Sequence, residues 1–66
     1  MKITLNGDAL EIVGPVTVGA LLSRLDIDVR RVAVEHNFTV LKRSLLDTTE
    51  IREGDKIEVV NFVGGG

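Results

Sequence analysis

Cysteine is absent from these 66 residues, and so are tryptophan and tyrosine. Without cysteine there is no disulfide framework, and no thiolate to serve as nucleophile or metal ligand. The single histidine, His36, cannot supply the several Cys, His or carboxylate ligands of a protein zinc site, so no metal is expected. Long apolar runs are also missing. The longest, Val18 to Leu22, counts five residues with Gly19 included, against roughly 20 for a membrane-spanning helix. The mean hydropathy of +0.23 therefore reflects scattered aliphatic residues, and no membrane segment is expected. Met1-Lys2 leads directly into an alternating pattern with no signal-peptide character, which points to the cytoplasm. Neither sign of charge dominates: eight Lys and Arg stand against ten Asp and Glu, a net charge of −2. The basic residues are dispersed apart from the pairs Arg30-Arg31 and Lys42-Arg43. The basic stripe and stacking aromatics of a nucleic-acid binder are both missing.

What remains is aliphatic. Apolar residues make up 44% of the chain, nearly all Val, Leu, Ile and Ala, with two Phe. A chain of this size buries only about 60% of the surface its unfolded form exposes. It must rely on well-matched elements around a dense core. Lys2 to Leu5 alternate polar and apolar, a strand with Ile3 and Leu5 on one face. Asn6-Gly7 is a strong hairpin signal, because both residues tolerate positive φ. Residues 9–13 resume the alternation with Leu10 and Ile12 inward, and Gly14-Pro15 ends that strand.

Residues 16–25 read as a helix. Thr17 is its candidate N-cap, with Val16 and Leu21 placed for a hydrophobic staple. Val18, Leu21, Leu22 and Leu25 form one apolar face at i, i+3, i+4 and i+7, opposite Ser23 and Arg24. Gly19 weakens such a helix by about 1 kcal/mol relative to Ala, which a close approach of helix to sheet would explain. Asp26 to Arg30 is a polar connection. Residues 31–35 form a third strand with Val32 and Val34 inward, and Ala33 and Glu35 on the other face. A turn at His36-Asn37 leads into a short fourth strand, 38–41. Residues 43–50 lack a period and read as a loop with one helical turn. Residues 52–55 form a turn, and 56–62 the last strand.

The order ββαββ(turn)β, with one helix able to cover one sheet face, describes a two-layer α+β domain. A single right-handed crossover through the helix joins its halves. This is the β-grasp, or ubiquitin-like, arrangement: a mixed sheet of four or five strands over residues 1–62, with the last strand beside the first. Residues 63–66 follow as a flexible Gly-rich tail.

No catalytic constellation emerges. Ser23, Ser44 and His36 lack an activating partner in the pattern. Asp26 and Asp28, and Glu53 and Asp55, fall in polar turns where burial would not shift a pKa. So short a chain also leaves little volume for a ligand pocket. An enzyme is the least favoured class, and no cofactor is implied. The remaining signal is the last strand and its tail. Val60 and Phe62 take the parity of the uncovered sheet face, with Thr4 and Ala33, and suggest a docking surface. Isolated exposed apolar residues are the other reading. The Gly66 carboxylate is ionised at neutral pH and is a poor electrophile until a better leaving group is installed. Glycines at 64–66 let such a tail enter a narrow site without Cβ clashes. Residues 63–66 reach about 14 Å when extended.

V-A-V-E-x-N at Val32 to Asn37, E-G-D-K-I-E-V-V at Glu53 to Val60 and the terminal F-V-G-G-G together resemble the ThiS-type sulfur carriers of thiamine biosynthesis. T-V-G-A-L-L in the helix fits the same pattern. The resemblance implies a small carrier that is not itself an enzyme. A ThiF-type activating partner would use ATP to adenylate the Gly66 carboxylate. A sulfur donor system would then convert it to a thiocarboxylate, and a ThiG-type thiazole synthase would consume that sulfur. Gly64 and Gly65 would form the entering tail, with Val60, Phe62 and Val63 at the partner interface, on a carrier that is a monomer when free. Phe38 departs from the glycine or polar residue expected after the turn Asn. A carrier for molybdopterin or another sulfurated product, and a β-grasp binding module with an inert tail, are the alternatives.

Overall fold

The computed structural model describes residues 1–62 and has the expected α+β architecture. Its strands are β1 (Lys2–Leu5), β2 (Asp8–Glu11), β3 (Val32–His36), β4 (Thr39–Val40) and β5 (Lys56–Asn61), with one helix, α1 (Val18–Arg24). The sheet has five strands in the order β2-β1-β5-β3-β4. β5 lies in the centre, parallel to β1 and antiparallel to β3. This is the mixed sheet of the ubiquitin-like fold.

The alternation in the sequence explains the inner face. Ile3, Val32, Val34 and Ile57 are buried, and their neighbours along each strand point away. Asn6 and Gly7, at φ of 50° and 84°, make the tight turn between β1 and β2. Both central residues of such a turn need positive φ, which glycine adopts without steric cost. Strand 2 ends at Glu11, short of the expected 9–13, although Ile12 beyond it is buried. The Gly14-Pro15 peptide is cis.

Thr17 caps α1 as its sequence predicts: its Oγ1 accepts the Ala20 N–H at 3.1 Å. Val18, Leu21 and Leu22 are buried, each stabilising the fold by about 1.5–3 kcal/mol. Leu25 does not complete the apolar face. The helix stops at Arg24, and Leu25, its C-cap, turns partly out to solvent. Gly19 is explained by a close approach, but to a different element. Its N–H donates to the Leu46 carbonyl at 2.8 Å. A Cβ there would run into Asp47 Oδ1 and lie 3.2 Å from the Leu46 carbonyl oxygen. Gly19 is thus pressed against the 43–50 segment and not against the sheet, while Val18, Leu21 and Leu22 join the core with Ile3, Val34 and Ile57.

That segment contains the helical turn, a short 3-10 helix at Arg43–Leu45. It also supplies core residues that periodicity cannot reveal. Leu46 and Ile51 are buried with Val16, and Ile51 N–H donates to the Val16 carbonyl at 2.9 Å. The Asp26 to Arg30 connection is less polar than its composition suggests. Ile27 and Val29 pack on the core, and a second 3-10 turn spans Val29–Arg31 under an Asp28 cap. The Arg30 guanidinium beside Asp28 holds that exposed carboxyl down at about 2.

The second hairpin turns one residue later than expected. Asn37 and Phe38 are its central residues, at φ of 52° and 71°, so His36 ends β3 and β4 is only Thr39–Val40. An aromatic residue in the left-handed region is uncommon. Part of the compensation is Lys56 Nζ, 4.6 Å from the Phe38 ring centroid, a cation–π contact worth about 0.5–1 kcal/mol.

Candidate functional site

The sheet face turned away from α1 is assembled by strand register. Ala33 pairs with Val60, and Glu35 with both Glu58 and Val40, so these side chains share that face. Thr4 and Ala9 continue it across β1 and β2. Its apolar members are strongly exposed: Val60 at 56%, Val40 at 67%, and Phe38 at 77% on the adjoining turn. Lys56 and Glu58 divide this surface with an exposed ion pair at 3.6 Å. Such a pair adds little stability.

Val60 therefore lies where its parity places it. Phe62 follows β5 and is 57% exposed. Its N–H donates to the Arg31 carbonyl at 2.9 Å, which fixes the backbone at Phe62 beside β3. Phe62 also lines a surface groove of about 190 Å³ with Val29, Val32, Val40, Leu41 and Arg43. The sheet face and this groove thus meet at Phe62. Val63, Gly64, Gly65 and Gly66 lie outside the described residues.

The end of β5 is held from one side only. β1 pairs with it at Lys56 and Ile57. The Asn6 side chain then extends the ladder, accepting the Val59 N–H at 2.7 Å and donating to the Val59 carbonyl at 3.3 Å. Past Val59, no described strand lies on that side of β5, while β3 continues along the other. The last described residues of the chain are thus anchored by β3 and open toward β1.

At the opposite end of β5, the structure corrects the sequence reading of His36 and Asp55. Asp55 is buried, 8% exposed, not a solvated turn residue. Its carboxylate accepts from His36 Nε2 at 2.8 Å, from Asn37 Nδ2 at 3.1 Å and from the Arg52 N–H at 2.8 Å. An ionised carboxylate can only accept, so His36 Nε2 carries the proton. Burial pushes the Asp55 carboxyl up, but the bonds from His36, Arg52 and Asn37 outweigh it and hold the group below its ordinary value. Asn37 Oδ1 also accepts the Lys56 N–H at 2.9 Å. The cluster ties the β3–β4 turn to the start of β5, and its donors fill the carboxylate. It lines neither of the surface hollows described here, so the geometry is that of a structural tie.

The expectation of little pocket volume is not met in size. An open hollow of about 470 Å³ lies between α1 and the two 3-10 turns, lined by Gly19, Ser23, Asp28, Arg43 and Asp47 among others. Asp28 is already engaged by Arg30, at 3.0 Å, and by Arg31. No hydrogen bond among the described residues joins the Ser23 hydroxyl to Asp28 or Asp47, as activation of a nucleophile would require. Among the described residues, no group of three or more His, Cys, Asp or Glu could hold a metal ion, and no helix is long and apolar enough to cross a membrane.

Sequence parity found Val60 and Phe62 but missed Val40 and Phe38. The signal was available in principle, since β4 alternates from its turn. The sequence reading placed the turn one residue early and assigned no faces to 38–41.

Comparison with known proteins matches this geometry to one family. The family model described as the ThiS family matches residues 3–66. The crystal structure of a thiamine biosynthesis protein (ThiS) from Geobacter metallireducens superposes with a TM-score of 0.87 at 38% identity, covering both chains completely. Among curated proteins, a thiazole synthase of Paramagnetospirillum magneticum is 41% identical over all 66 residues, which make up 20% of its length. The chain likewise spans 20% of the thiazole synthase of Magnetococcus marinus, also at 41% identity. The uncharacterised protein ycf40 of Porphyra purpurea is 36% identical and is covered over 93% of its length. With the family model aligned from the first strand to the last glycine, and with this fold, the chain belongs to the ThiS family.

Proposed function

We propose that this chain is a sulfur carrier of thiamine biosynthesis, with the Gly66 carboxylate as the group that is activated and sulfurated. The observation that carries this reading is the family match running through Gly66, beside an exposed apolar surface at the base of the tail. In the proposed cycle, a Gly66 carboxylate oxygen attacks the α-phosphorus of ATP in a ThiF-type partner. Pyrophosphate leaves and an acyl-adenylate forms. A sulfur nucleophile from a donor system then attacks the acyl carbon and displaces AMP, leading to a thiocarboxylate. The carrier supplies no catalytic group and no cofactor of its own. It is the substrate of its partners, working as a cytoplasmic monomer.

A ThiG-type thiazole synthase is the proposed acceptor. Support comes from the two thiazole synthases that each contain a stretch similar to this whole chain. Val60 and Phe62 are the proposed contacts on the folded part, with Val63 at the mouth of the partner's site. Gly64 and Gly65 give the tail its narrow cross-section there. Carrier-dependent ATP–pyrophosphate exchange by the activating partner tests the first step. The chain ending at Gly66 supports exchange in this account, and one extended by a single alanine does not. Equal exchange with both would remove Gly66 from the reaction.

A further inference from the structure

Phe38 and Phe62 are the chain's only aromatic residues, and neither is in the core. The buried cluster is built of Val, Leu and Ile, while the two phenylalanines are 77% and 57% exposed at opposite ends of β5. An aromatic ring is the largest apolar group that so small a core could bury, so stability does not explain placing both outside.

Phe38 is also held against its backbone preference. Its φ of 71° lies in the left-handed region, where bulky side chains are rare. Such a conformation persists only where the surrounding structure over-determines it. Asn37 does so here. Its N–H donates to the Lys56 carbonyl at 2.8 Å, its Oδ1 accepts the Lys56 N–H at 2.9 Å, and its Nδ2 donates to the buried Asp55 carboxylate at 3.1 Å. Lys56 Nζ then lies over the ring. A ring presented by so fixed a turn loses little freedom when a partner covers it.

A second unfavourable feature lies beside it on the sheet face away from α1. Glu35 and Glu58 are directly opposed across β3 and β5, a like-charge pair that weakens a sheet. Lys56 reaches Glu58 at 3.6 Å, and Glu35 makes no ion pair among the described residues. Val40 flanks Glu35 on β4, and Val60 follows Glu58 by two positions on β5. From Lys56 to Phe62 the extended chain spans about 20 Å. A partner surface of standard size, roughly 800 Å² and about 30 Å across, covers both aromatics at once.

We propose that Phe38 is a second anchor for the ThiF-type activating partner, which takes the ring in an apolar pocket and sets a basic side chain between Glu35 and Glu58. The anchor presupposes the carrier function proposed for Gly66, and it extends the contacts from Phe62 to the β3–β4 turn. Both features cost the free carrier stability, and docking relieves both. The ring becomes buried, as aromatic anchors at interfaces are, and the cation neutralises the opposed carboxylates while speeding association. A second copy of this chain fits poorly, because its own face carries the same two carboxylates.

Carrier-dependent ATP–pyrophosphate exchange, with the full chain as the varied substrate, tests the anchor alongside urea denaturation. Phe38→Gly raises KM for the carrier by about tenfold or more with kcat held. Its denaturation midpoint stays near the native one, because glycine suits the left-handed backbone. Phe38→Tyr keeps KM within about twofold of the native value. Glu35→Gln raises KM by about threefold, makes it less sensitive to salt and raises the denaturation midpoint. A native KM for Phe38→Gly would overturn the proposal, as would a rise matched by a large fall in midpoint, which makes Phe38 structural. An unchanged or lower KM for Glu35→Gln would remove the basic partner group. A native chain that supports no exchange removes the carrier function itself, and the anchor with it. Dimerisation of the native chain that Phe38→Gly abolishes would put a second copy on this face instead.

Discussion

Replacing Asp55 by alanine removes the acceptor on which three donors from separate parts of the chain converge. His36 Nε2 at 2.8 Å, Asn37 Nδ2 at 3.1 Å and the Arg52 N–H at 2.8 Å would all lose their partner. A hydrogen bond to a charged group contributes about 1.5–3 kcal/mol, and a buried donor left unpaired costs about 1–3 kcal/mol. The losses do not add, because the His36 side chain is 21% exposed and can turn to water. The net cost is about 3 kcal/mol. A chain of this length holds roughly 3–10 kcal/mol in all, so Asp55→Ala sits near the edge of folding, with Tm lowered by about 12–24 °C. Asp55→Asn keeps the shape and one acceptor oxygen, and falls between Asp55→Ala and the native chain. Urea denaturation followed by circular dichroism reads both. A loss below about 0.5 kcal/mol for Asp55→Ala would refute the assignment of this cluster as the tie between β3, its turn and β5.

The same carboxylate sets part of the acid response. Its folded pKa lies below the ordinary 3.8, so the unfolded chain binds the proton more readily. Its stabilisation is therefore complete above that value and is lost as pH falls through the lower folded pKa. Asp55→Ala should flatten this part of the stability–pH curve, which acid titrations of denaturation midpoints would show; an unchanged acid limb would exclude Asp55 as its source. At Phe38, φ of 71° favours glycine, so Phe38→Gly should be more stable than Phe38→Ala by about 1 kcal/mol in thermal melts. Asn6→Ala should cost about 1–2 kcal/mol and speed amide exchange at Val59, whose N–H it caps. Val60→Ser with Phe62→Ser should weaken partner binding at least about tenfold by calorimetry, with folding changed by less than about 0.5 kcal/mol. A large stability loss without an affinity loss would place these residues in the core.

The fold was legible where a local pattern and a long-range contact agree. Ile3, Val32, Val34 and Ile57 alternate and are buried; Thr17 looks like a cap and is one. The β-grasp order followed because one short helix can cover only one face. Legibility failed where a residue's environment comes from elsewhere in the chain. Leu46 and Ile51 sit in an aperiodic stretch and become core only because α1 and Val16 pack on them. Gly19 announced a close approach but not the approaching element, since nothing near it in sequence names Leu46. Asp55 was read as solvated because a turn of charged residues usually is. Its burial depends on His36 and Asn37, nearly twenty positions earlier. At the candidate site, parity located Val60 on the exposed sheet face. Placing the turn at His36-Asn37 put Phe38 in the strand and not in the turn.

Whether Gly66 carries sulfur is read from the intact mass of the purified chain after incubation with an activating partner, ATP and a sulfur donor. The expected result is a gain equal to exchange of one oxygen for sulfur, localised by fragmentation to Gly66 and dependent on ATP. An unchanged mass under conditions where the partner turns over, or sulfur found on any other residue, would contradict it.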